Sequence, residues 1–152
     1  MTKPGDHRET ARVLLRNRQG DYLFLLTHFD PEVQLPARWI TPGGGIELQE
    51  DVRVAAIREL FEETGLTVSE EELGEPVAKT SGEWIWGNEI DSHTYIDTFF
   101  ELFTDEFEID TSNWTDDEKR DVLDIRWWTK DEIISSQESF GPHDLVEIIM
   151  NR

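Results

Sequence analysis

Three glutamates, Glu59, Glu62 and Glu63, lie three and four positions apart in a segment whose pattern predicts a helix. Residues at this spacing share one face of a helix, so the three carboxylates are expected to converge on one patch. Carboxylates this close repel one another, and they bind protons unless a cation lies among them. A hard divalent ion such as Mg²⁺ prefers oxygen ligands of this kind and usually shares them with substrate phosphates. The spacing therefore predicts a divalent metal site.

The glutamates need a helix that can bury its opposite side. The segment from Asp51 to Thr64 carries apolar residues suited to packing, namely Val52, Ala55, Ala56, Ile57, Leu60 and Phe61. The glycines at positions 43 to 45 precede this segment as a predicted turn, and Gly65 follows it, where a helix end favours a left-handed residue. The sequence predicts an amphipathic helix that is entered from a glycine-rich turn and presents acidic side chains on one face.

The same segment follows the pattern of the Nudix box. Gly44 is followed by five residues and Glu50, and seven more residues lead to Arg58-Glu59-Leu60-x-Glu62-Glu63-x-Gly65-Leu66, which fills every defined position. The chain therefore resembles the Nudix hydrolases, which cleave the phosphoanhydride bond of a nucleoside diphosphate linked to another moiety. Without the flanking glycines and Arg58, a solvated acidic helix would be the better interpretation of these glutamates.

The resemblance gives each acidic residue of the box an expected role. Glu59 and Glu63 would be the principal metal ligands, and Glu62 would be a further ligand or the base that activates water. The main-chain carbonyl of Gly43 would be another metal contact. Clustered carboxylates without soft ligands select Mg²⁺, with Mn²⁺ as an alternative. Such ions would bridge the substrate phosphates and acidify a water molecule that attacks phosphorus.

Two further expectations concern the surroundings of these ligands. Arg58 would orient the neighbouring glutamates rather than touch the substrate, and Glu50 would be its structural partner. Family members commonly add a catalytic acid from a later loop, just before a strand that bears tryptophan. Asp121 has the matching spacing before Trp127 but is shorter than the usual glutamate, so Glu118 competes for the role. A solvated acidic loop is the alternative for either residue.

The residues that contact the substrate are harder to identify. An indole of Trp84 or Trp86 could stack on a purine base, although packing of an amphipathic strand is the alternative. Four basic residues are candidates for phosphate contact: Arg12, Arg16, Arg38 and Lys79. Nucleoside triphosphates and dinucleoside polyphosphates are the favoured substrates. ADP-ribose and nucleotide sugars are alternatives, and a non-catalytic nucleotide sensor is the alternative outside enzymes, although its box would usually be incomplete.

The composition limits the kinds of binding site, covalent chemistry and cellular location that are expected. A net charge of −20 over 152 residues argues against a nucleic-acid-binding surface, which needs basic residues to displace counterions from phosphates. The chain has no cysteine, which excludes disulfides and thiolate chemistry. Because no apolar run is long enough for a signal peptide or a membrane span, we expect a cytoplasmic protein whose partner is a small nucleotide. The resemblance adds the homodimer that is frequent in the family.

Strands and helices alternate along the rest of the chain. Residues 1–8 are predicted to be a flexible tail, and residues 9–152 a single Nudix hydrolase domain. We predict strands over 9–15, 22–27, 39–41, 77–85, 93–103 and 121–128. We predict helices over 130–135 and 143–150 and an acidic loop over 105–119. This alternation indicates an α/β protein with one mixed sheet, and the resemblance implies the Nudix α/β/α sandwich.

Overall fold

Strand β1 (His7–Arg16) lies at the centre of a mixed sheet, to which the described part of the chain contributes eight strands. The computed structural model describes residues 7–28, 37–85, 92–142 and 144–152, apart from the side chains of residues 84, 85 and 93. The parallel strand β6 (Ser92–Phe103) pairs with β1 along its whole length. The antiparallel strands β2 (Tyr22–Thr27) and β4 (Gly43–Gly45) also pair with β1.

The outer strands continue the sheet on both sides of this centre. Strand β5 (Ala78–Ile85) pairs with β6, while β3 (Arg38–Ile40) and β7 (Val122–Trp128) pair with β2. Strand β8 (Phe140–Gly141) pairs with β3. Every residue from position 10 to position 15 of β1 is buried, so this central strand is covered on both faces.

Helices cover both faces of the sheet. On one face, α1 (Val52–Thr64) and α2 (Glu70–Leu73) pack on an apolar cluster that includes Ala11, Val13, Leu15, Ala56, Leu60 and Phe100. On the other face, α4 (Lys130–Ser135) and α5 (Leu145–Met150) pack on a cluster that includes Leu14, Phe24, Trp39, Phe99, Ile133 and Ile149. A short helix, α3 (Asp116–Asp121), precedes β7. The arrangement confirms the predicted α/β/α sandwich with a mixed sheet.

Both ends of α1 follow from local sequence. The side chain of Asp51 accepts a hydrogen bond of 2.9 Å from the main-chain N–H of Arg53, and this cap satisfies one of the unpaired donors at the helix start. At the other end, Gly65 has φ 81°, and its N–H donates to the carbonyl of Phe61 at 2.9 Å. The structure therefore confirms the predicted helix and its glycine stop.

Three of the predicted elements differ from the structure. The glycines at 43–45 form strand β4 on β1 instead of a turn, because a segment without side chains can approach β1 closely. The predicted acidic loop over 105–119 contains most of α3, whose capping box Thr115-x-x-Glu118 is a recognised helix start. Strand β1 begins at His7, so that the last two residues of the predicted tail, His7 and Arg8, belong to the sheet.

Some of the predictions fall outside the described residues. These are the structure of residues 1–6 of the predicted tail and the position of His143 at the start of the last predicted helix. Among the described helices, none combines the length and the apolar character needed to cross a membrane.

The packing of α1 predicts which of its apolar residues stabilise the fold. Leu60 is fully buried, so we expect Leu60→Ala to lower the free energy of unfolding by about 2–5 kcal/mol through lost burial and a residual cavity. Val54, on the same helix, is 42% exposed, and Val54→Ala should change that free energy by about 0.5 kcal/mol or less. Urea denaturation monitored by circular dichroism measures both variants. Equal effects would contradict the assigned buried face.

Candidate active site

Three carboxylates meet where α1 faces strand β4. Glu59 and Glu63 project from α1, and Glu118 reaches them from α3. One carboxylate oxygen from each lies within 4.8 Å of the other two. Glu63 is 4% exposed, and the other two residues are half-buried. The structure thus places two predicted box ligands together with one of the two competing loop acids.

Strand β4 fits against these carboxylates because it has no side chains. The N–H of Gly43 donates a hydrogen bond of 2.7 Å to Glu63 Oε1. A Cβ on Gly44 would lie 2.6 Å from the carboxylate of Glu59, closer than real Cβ contacts allow. Gly43 itself has φ 149°, and a Cβ there would lie 2.3 Å from the carbonyl oxygen of Ala11. Glycine is therefore needed at position 43, whereas a side chain at position 44 would displace the carboxylate of Glu59.

Arg58 connects the helix to the chain segment before it. Its guanidinium donates two hydrogen bonds of 2.8 Å to the carboxylate of Glu50, a bidentate geometry, and one of 2.9 Å to Glu59 Oε1. It also donates to the carbonyl of Gly45 at 3.1 Å. Arg58 thus contacts Glu50 and Glu59, as expected, while its role in orienting the glutamates stays a prediction. The pairing lowers the pKa of Glu50 to about 2 and raises the pKa of Arg58.

The electrostatics of the cluster disfavour three bare negative charges. Burial raises the pKa of Glu63 well above its ordinary value, and the neighbouring charges of Glu59 and Glu118 raise it further. Burial also raises the pKa of Glu59, with Arg58 opposing that shift and Glu62 adding to it. A divalent cation among the carboxylates would remove the repulsion and favour their charged forms.

Glu118 is oriented by the start of its own helix. The side chain of Thr115 accepts a hydrogen bond of 3.2 Å from the N–H of Glu118, and the N–H of Thr115 donates to Glu118 Oε1 at 2.8 Å. Asp121, the competing acid, is instead held by the guanidinium of Arg120 through bonds of 2.9 and 3.0 Å. Glu62 lies 3.7 Å from the guanidinium of Arg58. Neither Asp121 nor Glu62 belongs to the group of three carboxylates that the described residues form.

The structure describes only some of the side chains predicted to contact the substrate. Trp86 lies outside the described residues, and Trp84 lies on β5 without a described side chain. Arg38 is half-buried and donates a hydrogen bond of 3.2 Å to the carbonyl of Phe140 at the edge of the sheet. The role of these three residues in binding stays a prediction.

Two arginines, Arg8 and Arg12, lie on β1. Arg12 is 7% exposed and donates to the carbonyl of Thr41 at 3.1 Å, while its Nε lies 3.8 Å from Asp97. Burial and Arg12 lower the pKa of the half-buried Arg8, whereas Asp97 and Glu59 raise it. Sequence reasoning missed Arg8 because it was assigned to the tail. The signal was its spacing of four from Arg12, which puts both side chains on one face of a strand.

A separate groove of about 530 Å³ lies on the face of the sheet that α1 covers. Its lining includes Glu9, Ile46, Val52, Val77 and Lys79, but none of the three clustered glutamates. The groove therefore does not coincide with the carboxylate cluster.

Comparison with known proteins identifies the family. The family model of the NUDIX domain matches residues 6–147 of the chain. The chain belongs to the Nudix family. Two box residues, Glu59 and Glu63, form the carboxylate cluster together with Glu118, and the box arginine Arg58 contacts Glu59.

Curated relatives match part of this Nudix chain. The RNA pyrophosphohydrolase of Roseobacter denitrificans is 43% identical over 79 residues, which are 52% of this chain and 44% of that protein. The human diphosphoinositol polyphosphate phosphohydrolase 2 is 34% identical over 64 residues, which are 42% of this chain and 33% of that protein. The chain thus spans less than half the length of each of these relatives.

Solved structures match almost the whole Nudix chain. The MutT protein from Methanosarcina mazei Go1 has a TM-score of 0.73 at 17% identity, over 99% of this chain and 95% of that chain. The NUDIX domain of Shewanella oneidensis NrtR, complexed with ADP ribose, has a TM-score of 0.67 at 15% identity, over 99% of this chain and 90% of that chain. These similarities show the fold.

The close approach of β4 to α1 predicts a difference between two neighbouring glycines. Gly44→Ala would push the carboxylate of Glu59 away, and we expect it to weaken Mn²⁺ binding by about tenfold or more. Gly45→Ala is the matched control, because a Cβ on Gly45 would have no heavy atom within 4 Å. Isothermal titration calorimetry gives the Mn²⁺ dissociation constant of both variants. The same loss in the two variants would show that Glu59 is not displaced.

The ion pair of Arg58 with Glu50 predicts a pH-dependent contribution to stability. The lowered pKa of Glu50 means that the contribution is fully present above its ordinary value of 4.5 and is lost as the pH falls through about 2. We expect Glu50→Gln to lower the free energy of unfolding at pH 7 by about 1.5–3 kcal/mol. The difference from the wild type should shrink between pH 4.5 and pH 2.

Urea denaturation across that pH range measures the Glu50 effect. Glu47→Gln is the control, because the Glu47 carboxylate lies 3.9 Å from Arg58 and its side chain is 70% exposed. Such an exposed pair contributes about 0–1 kcal/mol. A pH-independent difference for Glu50→Gln would argue against the ion pair.

Proposed function

We propose that this protein is a metal-dependent pyrophosphohydrolase, which cleaves a phosphoanhydride bond in a nucleoside diphosphate linked to another moiety. The observation that carries the proposal is the meeting of Glu59, Glu63 and Glu118 within 4.8 Å, in a chain of the Nudix family. The curated pyrophosphohydrolase and phosphohydrolase relatives support hydrolysis of acid anhydrides as the reaction class.

The residues present fit a hard divalent cation. They offer carboxylate oxygens without cysteine, the donor set that Mg²⁺ and Mn²⁺ accept. Burial, and then the neighbouring carboxylates, raise the pKa of Glu63, as expected of a site that a cation would complete. Glu59, Glu63 and Glu118 would hold the ion, with the Gly43 carbonyl and Glu62 as further ligands. The bound ion would supply charge neutralisation at the phosphates and a more acidic water.

The protein groups around that ion have separate tasks. Attack of water on phosphorus breaks the P–O bond to the leaving phosphate, and a carboxylate must take the proton of the water. Glu62 and Glu118 are the two candidates for this base. Between the acids outside the box, Glu118 is favoured over Asp121, because the carboxylate of Asp121 is occupied by Arg120. Arg58 keeps Glu59 in place by its hydrogen bond of 2.9 Å.

The charge of the chain limits how a polyanionic substrate can bind. A net charge of −20 repels such a substrate, so cations must reverse the sign of the local potential. Arg8 and Arg12, which lie four positions apart on β1, would serve this task. Together with the metal they would hold the phosphates of a nucleoside triphosphate or a dinucleoside polyphosphate. A cytoplasmic location and a homodimer, both expected from the sequence, stay predictions.

An RNA 5′ end is a second candidate substrate. The observation in its favour is the identity of 43% to an RNA pyrophosphohydrolase. RNA carries a phosphoanhydride only at a polyphosphorylated 5′ end, so the site would engage that end rather than the body of the strand. The acidic surface disfavours extended contact with the RNA backbone. ADP-ribose and nucleotide sugars remain alternative substrates, and nucleotide binding without hydrolysis is the alternative outside enzymes.

Chromatographic separation of the reaction products, with Mg²⁺ and with Mn²⁺, distinguishes these candidates. The substrates are nucleoside triphosphates, dinucleoside polyphosphates, ADP-ribose, nucleotide sugars and a 5′-triphosphorylated RNA oligonucleotide. We expect metal-dependent cleavage of at least one, abolished by EDTA. If folded protein binds a nucleotide but cleaves none of them, the hydrolase proposal fails and a sensor takes its place.

Glu63→Gln tests the central carboxylate. We expect hydrolysis to fall by at least about 100-fold, because a neutral amide is a poor ligand for a hard cation. The fold should persist, since the amide oxygen can still accept the N–H of Gly43 and a buried charge is removed. Rates with saturating Mg²⁺ and circular dichroism spectra measure the two effects. Glu70→Gln, at an exposed glutamate of α2, is the control, and undiminished activity of Glu63→Gln would remove the proposed role.

A further inference from the structure

The loop over residues 104–115 closes the C-terminal end of α1. The last carbonyls of a helix have no partner within the helix and must find one elsewhere. The N–H of Asp110 donates to the carbonyl of Thr64 at 2.9 Å, and the indole N–H of Trp114 donates to the carbonyl of Glu63 at 2.9 Å. The loop therefore supplies two of the bonds that finish the helix, and one of them goes to the main chain of a clustered glutamate.

The same loop leads directly into the helix that carries Glu118. Trp114 precedes Thr115, the residue whose side chain caps α3 and whose N–H binds Glu118 Oε1 at 2.8 Å. Residues 114–118 thus connect the hydrogen bond on the main-chain carbonyl of Glu63 with the carboxylate of Glu118, which lies beside the carboxylate of Glu63. The distance between the two carboxylates depends on this short connection.

The rest of the loop has its own anchors. Phe107 and Ile109 pack against the apolar cluster under α1, and the ring of Phe107 lies 6.5 Å from that of Trp127 in an edge-to-face arrangement. The loop is therefore expected to stay docked when the indole N–H of Trp114 is removed. The hydrogen bond from Trp114 to Glu63 therefore holds mainly the last residues before α3 in place.

We propose that Trp114 is a positioning residue, which sets the place of Glu118 by tying the start of α3 to the main chain of Glu63. The inference rests on the proposed function, since it takes the three carboxylates to be metal ligands. Tryptophan suits this task because its indole is a rigid, half-buried body with one N–H donor. Helix α3 has six residues, none of them buried, so it has little packing of its own to fix it.

A small shift of α3 would move the carboxylate of Glu118 and weaken metal binding. Ligands must be held within about 0.5 Å of the productive geometry, and neighbours that orient them affect metal affinity strongly. Trp114→Phe keeps the aromatic body and removes only the N–H donor. Its effect on the metal should therefore pass through Glu118 and vanish when Glu118 no longer binds.

The experiment is a double-mutant cycle with Mn²⁺ alone as the probe. Isothermal titration gives the Mn²⁺ dissociation constant of the wild type, Trp114→Phe, Glu118→Gln and the double variant. We expect Trp114→Phe to weaken Mn²⁺ binding by about 3- to 10-fold, the scale of one hydrogen bond. We expect the double variant to bind Mn²⁺ as Glu118→Gln does.

Trp39→Phe is the matched control. It also removes an indole hydrogen bond, of 3.0 Å to Glu138, but on strand β3 away from the three carboxylates. It should lower the melting temperature without changing the Mn²⁺ dissociation constant, which separates positioning from general destabilisation. An unchanged constant in Trp114→Phe, or a full additional loss in the double variant, overturns the inference. Wild-type protein that shows the expected cycle but hydrolyses nothing would refute the proposed function alone.

Discussion

The burial of the Glu63 carboxylate is the constraint on which the rest of the site depends. A charge removed from water is costly unless it gains partners, and two further carboxylates nearby raise that cost. The protein provides one main-chain N–H from Gly43 and lets Arg58 neutralise Glu59. This compensation is incomplete, because burial and the charges of Glu59 and Glu118 still raise the pKa of Glu63. In the proposed function, a bound divalent cation would complete it.

The fold makes this burial possible by bringing a helix against a strand without side chains. Strand β1 is fixed by β6 along its full length, and β4 pairs with the middle of β1, at residues 10–12. Helix α1 packs on the same sheet through Leu60 and its neighbours, so its acidic face is held against β4. The packing of one side of α1 therefore determines where Glu59 and Glu63 point on the other. Helix α1 therefore stabilises the fold through its apolar side and carries two of the clustered glutamates on the other.

The sequence predicted the parts of this structure that depend on local pattern. Most of the buried positions of α1 and its stop at Gly65 follow from residues close in the chain, although Phe61, predicted to pack, is 42% exposed. The contact of Arg58 with Glu50 was expected from the family resemblance, without its bidentate geometry. Pairing of glycines with a distant strand is set by tertiary contact, which local pattern does not contain. Which of Glu118 and Asp121 lies near the other carboxylates likewise depends on the tertiary position of α3. The capping box at Thr115, by contrast, is a sequence signal for the start of that helix.

The acidity of the protein and the anionic nature of its proposed substrates are compatible because the charges are distributed unevenly. Exposed charges are screened over about 8–10 Å in physiological salt, so the acidic surface mainly governs approach. The buried Arg12 and the half-buried Arg8 lie on β1, where their charges are screened less than those of exposed residues. In the proposed function, these arginines and the metal would act together on a compact polyphosphate. A long nucleic acid would also meet the acidic surface, so this charge distribution favours ligands whose negative charge is concentrated at the reacting end.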